Sequence, residues 1–205
     1  DGLLMVVEEH IDSRIRQRRF EELGPLSYSD FQTGSTVQAL LKALGWSHIE
    51  LQVATIEGTL VELSSVSPTR LLLSESFVSN LGDGDQTYGI ARASYLARGW
   101  RIFAGDIPKS EGRALLGALF ALTHDDWGPE FALSLGGDEG EIAEWAEYLL
   151  TVCPPEILSE FASATKEVAE LGDTVFDDWS AQMSQTADRV ALFASGDLGA
   201  AMRYG

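Results

Sequence analysis

Leu4, Val7, Ile11 and Ile15, running on to Phe20, recur at helical spacing, with Glu8, Glu9, Arg14, Arg16, Arg18 and Arg19 between them. This pattern predicts an amphipathic helix of about five turns that stops at Gly24-Pro25. Its acids come first and its bases last, as the helix dipole favours. A second helix is predicted over 36–44, ending at Gly45. The texture then changes. Ile49-Glu50-Leu51-Gln52-Val53 alternates with period two, and Thr59-Leu60-Val61-Glu62-Leu63 does so again after Glu57-Gly58, which reads as a hairpin turn. After Pro68, the apolar run Arg70-Leu71-Leu72-Leu73 reads as a third strand. From Ser74 onward the period is helical. Ser74 opens a short helix ending at Leu81-Gly82, and Asp85 caps a longer one over 86–98. Pro108 starts another, which runs to about Thr123. Asp138-Glu139-Gly140-Glu141 resembles a capping box before a helix over 142–152. Pro154-Pro155 breaks the chain and starts a helix over 156–171. Asp177 or Asp178 leads into the next, over 179–194, and Ser195-Gly196-Asp197 caps a final turn or two.

These elements predict an α+β fold, mainly helical, with a small sheet of about three strands. Residues 1–45 read as helices leading in from a longer protein, and 46–205 as the α+β domain proper. No internal repeat of 20–50 residues appears, and Gly136-Gly137 is the nearest thing to a break. The 205 residues, 45% hydrophobic and 22% charged, are globular values that exclude a disordered chain.

Charge narrows the function classes. Fourteen Lys+Arg against 32 Asp+Glu give a net charge of -18, which would repel a nucleic-acid backbone. Residues 138–205 carry 14 acids against Lys166, Arg189 and Arg203. Such a run is ordinarily a solvated helical surface; its functional alternative is a docking face for a basic protein, for which Glu141, Glu144 and Glu147 are the candidates. No apolar run is long enough for a membrane span. A single cysteine, Cys153, excludes an intramolecular disulfide and suits a cytoplasmic location.

Ordinary chemical motifs are missing. His10, His48 and His124 lie far apart, and no HExxH string, GxSxG elbow or phosphate loop occurs. His124 alone has carboxylate neighbours, Asp125 and Asp126, but it falls where a helix ends and the Asp pair suits a turn. Cys153 sits at an apolar helix end with no cationic neighbour in sequence, which reads as a packed thiol. Gly82-Asp83-Gly84-Asp85 lacks the ligand spacing of a calcium loop. Trp46, Trp100, Trp127 and Tyr204 would mark an interaction patch if exposed, although core burial is the commoner state of each.

One pattern rises above this background. Strands, a short strand into Leu72-Leu73-Ser74 and a short helix precede the helix with Tyr88-Gly89-Ile90-Ala91-Arg92-Ala93-Ser94-Tyr95-Leu96. Much later comes Ser184-Gln185-Thr186-Ala187-Asp188-Arg189-Val190-Ala191, then Gly196-Asp197-Leu198. This order resembles the zinc metallopeptidases that include the CAAX prenyl proteases and the bacterial heat-shock proteases. It is similar too to metal-free C-terminal domains of large bacterial tetratricopeptide proteins. The resemblance implies a gluzincin-like fold in which Arg92 stands at the first zinc histidine and Ala93 at the general base. Leu96 stands at the second histidine and Ser184 at the zinc glutamate. Only the supporting aspartate has a counterpart, Asp188. A catalytic zinc needs three protein ligands and an activated water, and none of these positions holds a ligand.

The expectation is therefore a non-catalytic interaction or scaffold domain without metal or cofactor, binding a protein partner, in a bacterial helical-repeat protein. The alternative is an enzyme using carboxylates or His124 in a cleft. Ser184 and Asp188 are one helical turn apart, so an Arg92–Asp188 salt bridge should join the two helices that carry the degenerate motif.

Overall fold

The computed structural model describes residues 20–26, 34–46, 48–56, 61–64, 70–97, 101, 104–105 and 108–204. The helix expected from Leu4 onward, Pro68 and Trp100 lie outside these residues. Where that helix was to end, the chain is instead a strand, β1 (Phe20–Leu26). Gly24 and Pro25 explain the difference. Glycine weakens a helix interior, and proline can donate no ladder bond, which an edge strand tolerates.

Helix α1 (Gly34–Ala43) follows, then β2 (Glu50–Ile56), β3 (Val61–Ser64) and β4 (Arg70–Leu73). The sheet is four-stranded in the order β1-β2-β4-β3, one strand more than expected. The expected β2–β3 hairpin does not form. β4 inserts between them, parallel to β2 with Leu51 opposite Leu71, and antiparallel to β3 with Val61 opposite Leu73. The physical reason is the Leu71-Leu72-Leu73 run. All three side chains are fully buried, so this strand needs cover on both faces and a neighbour on both edges. β2 is the other inner strand, between β1 and β4. β1 pairs antiparallel with β2 and shifts register between Glu22 and Gly24, a bulge on an edge strand.

The remaining elements are helices: α2 (Glu75–Asn80), α3 (Asp83–Leu96), α4 (Lys109–Thr123), α5 (Gly128–Ser134), α6 (Glu139–Val152), α7 (Pro155–Ala169), α8 (Val175–Ser195) and α9 (Leu198–Tyr204). The fold is α+β and mainly helical. Ser74 Oγ accepts from Phe77 N and caps α2, as its sequence suggests. Asp138 likewise accepts from Gly140 N and Glu141 N at the start of α6. Asp85 does not cap α3; the helix starts two residues earlier, and Asp85 lies inside its first turn. Helix α5 was not expected. It begins with Gly128-Pro129, a helix-start signal that the preceding Asp pair had made look like a simple turn. α8 begins a turn earlier than expected, which places Asp177 and Asp178 within it.

The chain forms two compact units. Of the described residues, one unit comprises 108–182, and the other comprises those from 20 to 105 together with 183–204. In the first, α4 packs on α5, α6 and α7 and is lined with Gly112, Ala114, Leu115, Gly117, Ala118, Leu119 and Phe120, all buried. In the second, Val37 and Leu41 of α1, Leu51, Val61, Leu71 and Leu73 of the sheet, Phe77 of α2, and Ile90, Ala93 and Ala97 share one core. A smaller cluster joins Tyr88 and Ala91 of α3 to Ala191 and Ala200. The small side chains on α9, buried Ala200 among them, let this helix approach α3 closely.

Candidate functional site

The residues that the sequence resemblance singles out fall on α3 and on the part of α8 from Met183 onward, both in the second unit. On α3, Tyr88 and Arg92 are one helical turn apart and share a face; on α8, Ser184 and Asp188 do the same. The two faces meet. Arg92 Nε donates to Asp188 Oδ1 at 2.8 Å, and its NH2 group donates to Ser184 Oγ at 2.8 Å. Tyr88 Oη donates to the same Asp188 Oδ1 at 3.2 Å. One guanidinium thus spans both positions of the α8 turn, using two of its nitrogens in the fixed geometry of its planar fork. Tyr88 is the member that sequence reasoning left without a role. Its spacing to Arg92 was the available signal.

The cluster is half-buried. The Arg92 and Asp188 side chains keep 27% and 33% of their exposure, so the pair is not the fully enclosed ion pair that would be most sensitive to loss of one partner. Removing Arg92 deprives Asp188 and Ser184 of a donor while Tyr88 still serves Asp188. Arg92→Ala is expected to destabilise the fold by about 1–3 kcal/mol, the range for a hydrogen-bonded charged group short of full burial. Arg92→Lys should recover only part of that, because one ammonium cannot hold both acceptors in the same geometry. Chemical denaturation of the single variants and of the Arg92→Ala/Asp188→Ala double variant measures the coupling. A coupling indistinguishable from zero would mean that the contact contributes nothing.

Tyr88 is 1% exposed, and burial pushes its phenol above the ordinary 10.0. The Asp188 carboxylate pushes in the same direction by its charge and its hydrogen bond, and Arg92 opposes it. A folded-state value above the unfolded one favours the folded state below the unfolded value and loses that contribution as pH rises through the folded one. Native stability is therefore expected to fall in alkali above pH 10.0, and Tyr88→Phe should flatten that loss in denaturation midpoints taken across the range.

The other motif positions lie inward. Ala93 belongs to the core of the second unit, and Leu96 is 4% exposed. Neither offers a ligand atom. Among the described residues, no group of three or more His, Cys, Asp and Glu side chains is placed to hold a metal ion.

His124 forms the C-cap of α4. Its ring stacks on Trp127 with centroids 4.1 Å apart, and its Nε2 lies 2.9 Å from Thr165 Oγ1. Thr165 also lies 2.8 Å from Phe161 O, to which its single hydroxyl proton can go, leaving the histidine to donate. The ring thus ties the end of α4 to α7. Cys153 is buried at the C-cap of α6, and burial pushes its thiol up, away from a reactive thiolate. Of the three acidic candidates, Glu144 and Glu147 are exposed on α6, whereas Glu141 is half-buried. Trp46 and Trp127 are also half-buried, and Trp46 Nε1 donates to Ser94 O at 3.2 Å, so neither is an open interaction anchor. His48 is exposed; His10, Trp100 and the Tyr204 side chain lie outside the described residues. No described helix is long and apolar enough to cross a membrane.

Compared with protein-family models, with curated proteins and with solved structures, the chain finds no match among any of the three.

Proposed function

We propose that this is a non-catalytic interaction or scaffold domain built on a degenerate zinc-peptidase framework, with the Arg92 guanidinium standing where a metal would. The observation that carries this reading is the bonding of one arginine to both Ser184 and Asp188. In the related peptidases the corresponding three positions converge on zinc: a histidine, a glutamate and the aspartate that supports the histidine. Here a fixed organic cation meets the aspartate. The position of the general base is a methyl group in the core, and an alanine can take no proton. No described contact favours the enzymatic alternative through His124, whose Nε2 faces a hydroxyl and not a carboxylate.

The reading extends to context. The domain would follow helical repeats in a bacterial protein, act in the cytoplasm and engage a protein partner. Glu144 and Glu147 are exposed on α6, but exposed carboxylates do not define a binding surface by themselves.

The test is to write the ligands back. Arg92→His, Leu96→His and Ser184→Glu together would restore three zinc ligands if the motif register is right. The folded triple variant is expected to take up about one zinc per chain and to melt higher with zinc than with chelator. A variant with native-like circular dichroism that takes up no zinc would remove the peptidase ancestry. The natural protein is expected to leave denatured casein intact; hydrolysis abolished by a chelator would overturn the non-catalytic half.

A further inference from the structure

The last stretch of the second unit combines exposed apolar side chains with a lack of exposed acid. Over 183–203 the exposed residues are Gln185, Arg189, Phe193, Gly196, Leu198, Met202 and Arg203, and no Asp or Glu is among them. Its two acids are engaged: Asp188 with Arg92 and Tyr88, and Asp197 accepting from Ala200 N to cap α9. Meanwhile Phe193 is 93% exposed, Met202 79% and Leu198 64%. Arg189 and Phe193 are one turn apart on α8, as are Leu198 and Met202 on α9, so each pair shares a face. The segment is anchored and not frayed. Ala200 is fully buried, and Arg203 pairs with Asp85 of α3 at 2.7 Å. Arg189 has no ion-pair partner among the described residues.

Exposed phenylalanine, methionine and arginine with no carboxylate is the composition of the centre of a protein interface and not of an ordinary solvated face. Burying the three apolar side chains would favour a complex by removing them from water. We infer that the outward face of α8 and α9, from Arg189 to Arg203, docks an acidic, apolar segment of a partner protein. This deepens the interaction-domain reading and rests on it. Charge selects the occupant. Carboxylates beside apolar anchors would meet Arg189, whose charge no carboxylate neutralises among the described residues, whereas a basic segment would meet like charge. A second copy joined through the same face fits poorly. It would set arginines against a surface that carries no exposed acid of its own.

The probe is a random peptide library displayed on phage and panned against the whole chain. Enriched peptides are expected to carry Asp or Glu around large apolar residues and to bind one per chain, more weakly as salt rises. Phe193→Ser with Met202→Ser should weaken them by about thirtyfold, the size of a hot-spot truncation, and Arg189→Glu should lower affinity for the acidic peptides. Both variants should melt with the parent, because the altered side chains are exposed. Absence of enrichment, enrichment of basic peptides, or binding indifferent to the serine pair would overturn the assignment. So would a dimer, or adsorption to anionic vesicles, that the serine pair abolishes. The zinc-uptake test reads a different property. Its failure removes the peptidase ancestry and leaves this surface standing, and failure here does the converse.

Discussion

Trp145→Ala is expected to destabilise the 108–182 unit by about 3–5 kcal/mol, the range for removing a large buried aromatic side chain. Trp145 is fully buried on the inward face of α6, in line with Ile142 and Leu149. That face packs on α4, where Gly117 leaves so little room that an added methyl would lie 3.3 Å from Ile142. Truncation would thus empty a large volume in a fully buried, closely packed interface. A second loss accompanies it, because Trp145 Nε1 donates to Glu111 Oε2 at 2.9 Å. Trp145→Phe separates the two effects. It keeps most of the apolar volume and removes the donor, so it should cost clearly less than the alanine. Urea titration followed by far-ultraviolet circular dichroism measures both. An alanine variant within about 1 kcal/mol of the parent would contradict the burial, since surface substitutions have effects of that size.

Legibility differed by element for physical reasons. Helices whose ends carry local chemistry were readable: Ser74 and Asp138 supply cap oxygens, and Pro154-Pro155 forces a break. Strand pairing was not, because which strand lies beside which depends on burial far along the chain. The alternating pattern of β2 and β3 looked like a hairpin, and only the two-sided burial of Leu71, Leu72 and Leu73 makes β4 the strand between them. β1 was obscured by Phe20 continuing a helical period into a segment that Gly24 and Pro25 make unsuitable for helix.

In the α3–α8 cluster, Arg92, Ser184 and Asp188 were legible from the motif register and the Ser184/Asp188 spacing, whereas Tyr88, one turn before Arg92, was missed. The half-burial of the cluster was not legible, since periodicity tells which face a residue takes and not how far other elements cover it. For the same reason the exposed Phe193, Leu198 and Met202 were hidden. In sequence, apolar residues near the end of an amphipathic helix look like core.

Gly128→Ala is expected to cost about 3 kcal/mol, the upper part of the range for adding a methyl to a packed interior. Gly128 opens α5, buried, and its N–H donates to His124 O at 2.9 Å as the chain turns out of α4. A Cβ built there would collide with the carbonyl oxygen of Phe120, stand 2.8 Å from the carbonyl carbon of the same residue and lie 3.2 Å from His124 Cβ. Backbone in the last turn of α4 cannot swing aside as a side-chain end can. The clash must be relieved by moving α5, and with it the stack of Phe120, Trp127 and Phe131, whose ring centroids lie 4.7 to 6.0 Å apart. Gly82→Ala is the matched control. Its added methyl meets nothing within 4 Å, and glycine there has the extended backbone of an N-cap, so the loss should stay below about 1 kcal/mol. Tryptophan fluorescence adds a local readout, because displacing α5 should change the environment of Trp127 in the Gly128 variant and leave it unchanged in the Gly82 variant. Equal melting temperatures for the two variants would show that α5 can shift freely, and that the turn from α4 into α5 is not held by the contact between Gly128 and the Phe120 backbone.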